Sequence, residues 1–456
     1  MFTEPSWVSS YLERAEEFLK NKSVHEALHL LKSGITNNDY SGYTLQLNIV
    51  KITGDRDMHS DCILWCQRTL ETIFFMLHLI EKPDQKIYLD LIEVYRYLTV
   101  SMYYSPIKNT PEGTELVIQA CEYLVFNKYN TLHSNRTLSN VLYYIKPLKN
   151  LCARVLDAEN LITPGFHTTT SSIVARNDSF DILVRTVNYN INPNGSYSIS
   201  DSSNKIITEN YLYRFIIGPD FHVRLLDGRP FTDSQLEAPI YPHRIVGQED
   251  VRLFGDNMFL GVDAQANEKN VICLVWGTYD QTGAITQKVP LRVGPDFKVE
   301  KNWLPFNYDD VWYIIYKCEP LIIYRLDEIL DYSLGRLENC TPIYQKKICP
   351  EENLSTFRGG SPPIKFSLND NPGWLFIIHQ AHYAARRKYV HRFVWLSEDW
   401  EELIYSRPFY FRVPDIEYCI TLVEILLDTY VITYSVDDHS TEMKVCDRGQ
   451  ILSYFD

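Results

Sequence analysis

The sequence predicts an α+β chain of two domains, an N-terminal α-helical repeat domain followed by an all-β propeller. At 456 residues the chain exceeds one ordinary compact domain. Its 45% hydrophobic and 13% aromatic residues are enough to build real cores. The spacing of the apolar residues changes from helical to strand-like near residue 160. The predicted domains are therefore residues 1–160 and residues 161–456.

The first 160 residues place apolar side chains at helical spacing, as in Val8, Leu12, Ala15 and Leu19. Further amphipathic segments follow, among them CILWCQRTLETIFFMLHLIEK, PEGTELVIQACEYLVFN and TLSNVLYYIKPLKNLC. Paired helices without a clean fixed period are typical of a degenerate repeat of the tetratricopeptide type. We expect this domain to bind a protein partner or to self-associate through its concave face.

After residue 160, short runs rich in Val, Ile, Tyr and Phe are separated by turns of Gly, Pro, Asn and Asp, as in FDILVRTVNYNI, NVICLVWGTYD and GWLFIIHQAHY. So many regularly spaced strands predict a closed all-β architecture, and a propeller buries them with few exposed edges. A propeller also leaves a central pocket lined by the innermost strand of each blade. Polar residues at strand starts are therefore candidates for chemistry.

Charge and composition exclude several classes of protein. A net charge of -14 argues against a general nucleic-acid binder, since phosphate contacts need a basic surface. No stretch has the roughly 18 unbroken apolar residues of a membrane span, and the N-terminus has no apolar signal region. These features predict a soluble, cytoplasmic protein. The ten scattered cysteines predict buried reduced thiols rather than a disulfide scaffold or a metal site.

The first candidate motif is GQEDVRLFGDNMFLGVDA, in which Glu249 and Asp250 are adjacent and Arg252 follows two residues later. In a strand, Asp250 and Arg252 would face the same side. A carboxyl group beside an arginine on a pocket wall can bind sugar hydroxyls or transfer a proton. The alternative, which the motif alone favours, is a solvated turn acid in a surface ion pair.

The second candidate is the run Glu300, Lys301 and Asn302 before Trp303. This set suits an anion together with a sugar stacked on an aromatic face. The alternative is a polar turn that leads into a core tryptophan.

The third candidate is FRGGSPPIKFSLNDNPGWLFIIHQ. Gly359 and Gly360 allow a close backbone approach to a ligand and leave two amides to face it, while Arg358 and His379 supply charge for a phosphate. The alternative is a turn between blades beside an unrelated core histidine.

The order of these motifs carries a resemblance. QEDVRL, EKNW, GGSPPIKF with GWLFIIHQ, SRPFYF with IEYCITL, and YVITYSVDD resemble the succession in the β-mannoside phosphorylase and hydrolase family of five-bladed propeller glycosidases. That family carries Glu-Asp-Pro-Arg, Gly-Gly-x-Pro-Pro-Ile, Gly-Trp-Leu-x-x-Tyr-His, Tyr-Glu and Tyr-Gly-x-x-Asp motifs. The segments VRTVNYNINPNGSY and EKNWLPF are similar to relatives whose propeller follows a tetratricopeptide-type region and which are linked to glycosyl transfer.

The resemblance implies a five-bladed propeller and a role for each matching residue. Asp250 matches the general acid, and Arg358 and His379 match positions that hold inorganic phosphate. The implied substrate-binding residues are Glu249, Arg252, Lys301, Asn302, Trp303, Glu417 and Asp437. The implied phosphate-binding or donor-binding residues are Arg358, Gly359, Gly360, His379, Tyr389 and His391. In that family, phosphate attacks the anomeric carbon from the face opposite the acid and inverts the linkage, so the resemblance implies that no protein base is needed.

Two residues depart from the family pattern. Val251 stands where the family has proline, and Ile378 stands where it has tyrosine. The co-substrate is therefore either inorganic phosphate or the diphosphate of a nucleotide sugar, with no further cofactor. The first hypothesis is a mannoside phosphorylase or mannosyltransferase-like enzyme that acts on an oligosaccharide. The second is a non-catalytic glycan-binding or scaffold protein, which an outward-facing Asp250 or a plugged pocket would favour.

Overall fold

The computed structural model of the chain divides into two compact units, Met1–Ile145 with Glu351–Asn353, and Lys146–Pro350 with Leu354–Asp456. We call them the helical unit and the β unit. The residues that the structure describes are 6–33, 35, 43–56, 58–79, 85–105, 145–156, 158, 162–176, 179–200, 203–218, 221–237, 239–318, 320–346, 357–382, 387–413 and 415–455.

The described part of the helical unit consists of amphipathic helices. Apolar side chains such as Val8, Leu31, Val50 and Leu98 are buried in it. No described helix is long and apolar enough to cross a membrane. The predicted segment PEGTELVIQACEYLVFN lies outside the described residues, and the tetratricopeptide-type repeat stays a prediction. The helices are α1 (Ser6–Lys20), α2 (Val24–Ser33), α3 (Tyr43–Gly54), α4 (His59–Leu79) and α5 (Gln85–Tyr104).

The β unit is built mainly of strands, and each segment predicted above to be a strand contains one. It also contains the helices α6 (Leu326–Ser333) and α7 (Arg448–Leu452). The strands are β1 (Lys146–Pro147), β2 (Cys152–Val155), β3 (His167–Ala175), β4 (Phe180–Val187), β5 (Tyr189–Ile191), β6 (Tyr197–Ile199), β7 (Ile206–Ile217), β8 (Val223–Pro230), β9 (Ile245–Val246), β10 (Gln248–Phe254), β11 (Met258–Asp263), β12 (Cys273–Tyr279), β13 (Ile285–Pro290), β14 (Leu304–Tyr308), β15 (Val311–Cys318), β16 (Leu321–Arg325), β17 (Tyr344–Lys346), β18 (Arg358–Gly359), β19 (Ile364–Leu368), β20 (Asn371–His382), β21 (Lys388–Ser397), β22 (Leu403–Tyr405), β23 (Phe409–Tyr410), β24 (Glu417–Leu426), β25 (Thr429–Val436) and β26 (Ser440–Asp447).

These strands form a propeller-like succession of sheets. Among the described residues, five sheets have four or more strands. Sheet 1 contains β3, β4, β7, β8 and β9, sheet 2 contains β10 to β13, and sheet 3 contains β14 to β17. Sheet 4 contains β18 to β23 with β1, and sheet 5 contains β24 to β26 with β2. Neighbouring strands of one sheet are mostly consecutive in the chain, so each sheet is largely an antiparallel meander. β5 and β6 form a separate two-stranded hairpin between β4 and β7.

Residues before position 160 complete two of these sheets. β2 pairs with the last strand, β26, and β1 pairs in parallel with β23. The predicted helix TLSNVLYYIKPLKNLC is therefore wrong from Ile145 onward, where Pro147 interrupts the helical pattern and the backbone pairs in sheets. The compact units divide at Ile145 and Lys146, before the predicted boundary at residue 160.

The first strands of sheets 1, 2 and 5 converge. The Thr421 hydroxyl of sheet 5 donates to the Ser171 carbonyl of sheet 1 at 2.9 Å, and the Ser172 hydroxyl accepts from the Leu253 N–H of sheet 2 at 2.8 Å. These hydrogen bonds satisfy buried polar groups where neighbouring sheets meet. Convergence of this kind brings polar residues at several strand starts to one place.

Candidate functional site

One cavity of about 840 Å³ opens in the β unit, a volume in the range of small-molecule sites. All five sheets contribute to its wall. The lining residues are Arg185, Tyr189, Tyr197, Glu249, Asp250, Lys298, Val299, Glu300, Lys301, Asn302, Trp303, Leu304, Ile315, Tyr316, Lys317, Cys318, Phe357, Arg358, Gly359, His379, Gln380, Ala381, Arg387, Tyr389, Ile416, Tyr418 and Asp438.

Two adjacent carboxyl groups lie on this wall at a β-bulge in β10. The pairing of β10 with β11 shifts between Glu249 and Arg252, and Asp250 adopts a left-handed backbone with φ of 50°. Such backbone geometry in a residue other than glycine is uncommon and concentrates at functional sites. The bulge turns the Asp250 carboxyl toward Arg185 rather than toward Arg252.

Arg185 of β4 bridges both carboxylates. It donates from Nη1 to Asp250 Oδ1 and from Nη2 to Glu249 Oε1, each at 3.0 Å. Lys301 Nζ donates to Glu249 Oε2 at 3.1 Å. Glu249 therefore has two cationic partners, whereas Asp250 has one.

This asymmetry separates the pKa values of the two acids. Burial and the nearby negative charge of Glu249 raise the pKa of Asp250 against the opposing charge of Arg185. Burial acts on Glu249 as well, but Arg185 and Lys301 together outweigh it and lower its pKa. When the pKa values of two neighbouring acids are driven apart, the acid with the raised pKa can donate a proton while the other stays ionised.

Arg252 does not line the cavity, because its side chain is fully buried behind the wall. Its Nε donates to the Gly360 carbonyl at 2.9 Å and its Nη1 donates to the Asp250 carbonyl at 3.1 Å. Its Nη2 donates to the Tyr418 hydroxyl at 3.0 Å, and that hydroxyl donates to Asn302 Oδ1. Arg252 thus fixes the backbone of Asp250 from behind the wall.

The residues predicted to hold phosphate divide into two groups. Arg358, His379 and Tyr389 line the cavity, and Arg358 and His379 are paired across β18 and β20. His391 lies behind them, fully buried against Phe411 at a ring distance of 4.5 Å. Burial lowers the pKa of His391 to about 3, and it also lowers the pKa of His379. Both imidazoles are therefore neutral near pH 7, and His379 can offer a hydrogen bond but not a charge.

The two glycines are required by packing between strands. A Cβ on Gly359 would lie 2.4 Å from the Asn302 carbonyl oxygen, and one on Gly360 would lie 2.8 Å from the Ile377 carbonyl oxygen. The Gly360 N–H donates to that Ile377 oxygen at 2.8 Å, so this amide is not directed at a ligand. Gly359 lines the cavity, whereas Gly360 does not.

Lys301, Asn302 and Trp303 all reach the cavity wall. Asn302 has φ of 69°, and its side chain is bound to Tyr418. Trp303 is only 2% exposed and packs edge-on against Tyr316 at 5.2 Å. Trp303 is therefore mainly a core residue, and it offers little aromatic surface to a sugar.

Glu417 and Asp437 do not line the cavity. Glu417 is fully buried and accepts three backbone N–H groups, from Phe411 at 2.6 Å, Arg412 at 2.7 Å and Val413 at 2.8 Å. These bonds hold the turn before β24.

Asp438, next to Asp437, is the acid that reaches the cavity. It accepts from the Tyr189 hydroxyl at 3.0 Å and from the Thr169 hydroxyl at 3.2 Å. The family spacing Tyr-Gly-x-x-Asp, counted from Tyr434, ends at residue 438 and was the signal for it.

Sequence reasoning also missed Arg185, Tyr197, Arg387 and Tyr418. Arg185 had a signal, because an arginine within the apolar strand FDILVRTV is buried only when it is paired. The other three give no local signal, since tyrosine and arginine are common at strand ends.

The charge of the cavity is opposite in sign to that of the chain. Among the described residues the wall carries six basic side chains, Arg185, Lys298, Lys301, Lys317, Arg358 and Arg387, and four acidic ones, Glu249, Asp250, Glu300 and Asp438. The chain as a whole has a net charge of -14. An excess of cations inside an acidic protein favours an anionic ligand. No group of three or more potential metal-ligating side chains occurs in the described part of the chain.

Comparison with known proteins finds no matching family model and no matching curated protein. The chain is similar to a β-1,2-mannobiose phosphorylase from Listeria innocua, with 17% identity, 65% of this chain and 94% of that chain covered, and a TM-score of 0.41. It is similar to a GDP-Man-dependent mannosyltransferase from Leishmania mexicana, with 11% identity, 66% and 91% coverage, and a TM-score of 0.41. A third similar structure is a β-xylosidase/α-arabinofuranosidase from a compost microbial metagenome, with 11% identity, 65% and 95% coverage, and a TM-score of 0.40.

Proposed function

We propose that the chain is a carbohydrate-active enzyme that transfers a glycosyl group at β-mannoside-type linkages with inversion, either as a mannoside phosphorylase or as a mannosyltransferase-like enzyme. The observation that carries this proposal is the pair Glu249 and Asp250, whose pKa values are driven apart on the wall of a cation-rich cavity. In this proposal the five sheets are the five blades of the propeller.

Asp250 is the general acid of the proposed reaction. Its raised pKa keeps it protonated at higher pH than an ordinary aspartic acid, so it can give a proton to the departing glycosidic oxygen. In the phosphorylase form of the reaction, an oxygen of inorganic phosphate attacks the anomeric carbon from the opposite face as the carbon–oxygen bond breaks. The products are a glycosyl phosphate of inverted configuration and a sugar with a free hydroxyl group. Glu249 remains ionised.

The anion is bound by basic residues of the cavity wall. Arg358 reaches the cavity beside His379, and Lys298, Lys317 and Arg358 form no ion pair with another described residue. Unpaired cations offset the charge of a phosphate or diphosphate and stabilise it during transfer. Inorganic phosphate and the diphosphate of a nucleotide sugar both have this chemistry.

The geometry favours this enzyme over a non-catalytic glycan-binding or scaffold protein. That alternative predicts an outward-facing Asp250 or a cavity plugged by aromatic side chains. Asp250 instead lines the cavity, with its side chain bound by Arg185, and the cavity has a volume of about 840 Å³.

The test is a screen of β-mannosides with inorganic phosphate, and of nucleotide sugars with mannose acceptors, comparing the wild type with Asp250→Asn. We expect turnover of the accepted substrate pair to fall about 100-fold to 10,000-fold, the usual contribution of a general acid. Asp227→Asn is the matched control, since Asp227 is an exposed aspartate paired with Arg214 outside the cavity. Equal turnover in wild type and Asp250→Asn would remove Asp250 from the mechanism.

A further inference from the structure

A second cavity, of about 560 Å³, opens in the β unit and shares no lining residue with the cavity that contains Asp250. We call it the groove. Three segments of the chain form it: the approach to β7, the approach to β9 and the turn after β11. The lining residues are Ser203, Asn204, Lys205, Pro242, His243, Arg244 and Gln265.

The ionisable side chains of the groove are all basic. Lys205 and Arg244 are positively charged at pH 7, His243 is the third basic residue, and no aspartate or glutamate lines the groove. None of these three forms an ion pair with another described residue. The charge of Glu249 reaches His243, but cations of the first cavity already bind both oxygens of that carboxylate. In a chain of net charge -14, the groove is a local site of positive potential.

The pairing of two strands places Lys205 and Arg244 side by side. Ile206 of β7 pairs in parallel with Ile245 of β9, and the Ile206 N–H donates to the Arg244 carbonyl at 3.0 Å. Lys205 and Arg244 directly precede the two paired residues. Two positive charges are therefore held next to each other by the backbone of sheet 1.

The Arg244 guanidinium is fixed by Asn204. Its Nε donates to the Asn204 carbonyl at 3.1 Å, and its Nη2 donates to Asn204 Oδ1 at 3.2 Å. Asn204 has φ of 55°, a left-handed conformation that asparagine tolerates. A guanidinium has five N–H groups, so three remain for a ligand.

The other side of the groove is held by Gln265. Its Nε2 donates to the Tyr241 carbonyl at 3.3 Å, and its Oε1 accepts from the Gly247 N–H at 3.4 Å. Between these two points, His243 Nδ1 accepts from the Ile245 N–H at 2.9 Å. The proton of the neutral imidazole is therefore on Nε2, which is left as a hydrogen-bond donor.

Two positive charges beside a third donor suit a phosphate monoester. Such a group carries a charge of about -1.5 to -2 at pH 7 and three acceptor oxygens, whereas a carboxylate carries a single charge. Arginine and lysine are the usual partners of phosphate oxygens. A volume of about 560 Å³ leaves room for an organic group beyond the phosphate, against which Pro242 offers apolar surface.

We propose that the groove is a binding site for a small phosphate monoester, a sugar phosphate or a nucleoside monophosphate, whose terminal oxygens are bound by Lys205, His243 and Arg244. This inference goes beyond the proposed function, because the groove lies outside the cavity that contains Asp250. It holds whether or not the chain transfers a glycosyl group.

The test is isothermal titration calorimetry of the full chain with glucose 6-phosphate, adenosine monophosphate, inorganic phosphate and glucose. Because the first cavity is also proposed to bind phosphate, each titration is repeated with Arg358→Gln, which should keep the groove intact. Arg244→Gln and Lys205→Gln should each weaken binding of glucose 6-phosphate about tenfold, and glucose should not bind. Arg224→Gln is the matched control, an exposed arginine of β8 outside both cavities, and should stay within about twofold of the wild type.

The outcomes separate the groove from the first cavity. Loss of glucose 6-phosphate binding in Arg358→Gln, with no change in Arg244→Gln and Lys205→Gln, would place the ester in the first cavity and overturn the inference. Equal affinity for inorganic phosphate and both esters would also overturn it, because the groove would then hold only an ion. Tighter binding of adenosine monophosphate than of glucose 6-phosphate, lost in Arg244→Gln, would support the site and assign it to a nucleotide.

Discussion

At the scale of single residues, the site depends on how Asp250 and Glu249 share their cationic partners. Asp250 stands at φ of 50°, and its carbonyl oxygen is held by Arg252 at 3.1 Å. Its carboxyl group receives only one hydrogen bond from Arg185, because Lys301 is directed at Glu249. The same two acids in a regular strand would point to opposite faces and would not share Arg185.

This arrangement predicts the pH dependence of the proposed activity. The raised pKa of Asp250 should place the alkaline limb of kcat/KM above the ordinary range of an aspartic acid, since the acid must be protonated to act. Glu249→Gln removes a negative charge next to Asp250 and leaves Arg185 free to act on it. The alkaline limb should therefore move to lower pH, as a pH profile of kcat/KM can show. An unchanged limb would mean that Asp250 does not set it.

The sequence predicted Asp250 in this position but not its partner. The Glu-Asp-x-Arg spacing suggested a pair between Asp250 and Arg252, whereas the carboxyl is bound by Arg185, which is 65 positions away in the chain. A β-bulge redirects the side chains of β10, and its presence depends on the pairing with β11. Local periodicity cannot indicate such a shift.

At the scale of elements, turns decide which strand ends reach the cavity. Glu417 begins β24 and was predicted near the sugar, yet its carboxylate closes the turn from Phe411 to Val413 through three N–H donors. Such a carboxylate organises the approach of β24 to the cavity without touching a ligand.

Glu417→Gln tests this structural role. A glutamine has one acceptor oxygen, so its NH₂ group would oppose at least one backbone N–H. We expect a loss of about 1–3 kcal/mol in the free energy of unfolding, measured by urea denaturation. Glu424→Gln in the same strand is exposed and should change stability by less than about 0.5 kcal/mol. Equal effects of the two substitutions would contradict the role assigned to Glu417.

At the scale of the whole molecule, residues that precede the predicted boundary complete the β unit. β2 forms the outer strand of sheet 5 beside β26, and Leu148 and Leu156 are buried at 2% and 3% exposure. β2 lies near the start of the β unit and β26 lies near its end. Their pairing therefore holds the two ends of the β unit together.

This closure predicts different stabilities for two truncated chains. A chain that begins at residue 146 should keep β1 and β2, whereas one that begins at residue 161 loses both. Loss of Leu148 and Leu156 alone should cost about 1.5–3 kcal/mol each. Thermal unfolding should show a clearly lower Tm for the shorter chain, and equal Tm values would mean that β1 and β2 add nothing to the unit.

The sequence by itself determined the change from helices to strands and the positions of many strands, because periodicity and turn residues are local properties of the chain. Asp250 became the candidate acid through the resemblance of its motif to a known family. Only the tertiary structure decided that Arg185 holds Asp250 and that Arg252, His391 and Glu417 lie outside the wall of the cavity. The physical reason is that bulges, turns and contacts between sheets set the direction of each side chain. These contacts join residues far apart in the sequence.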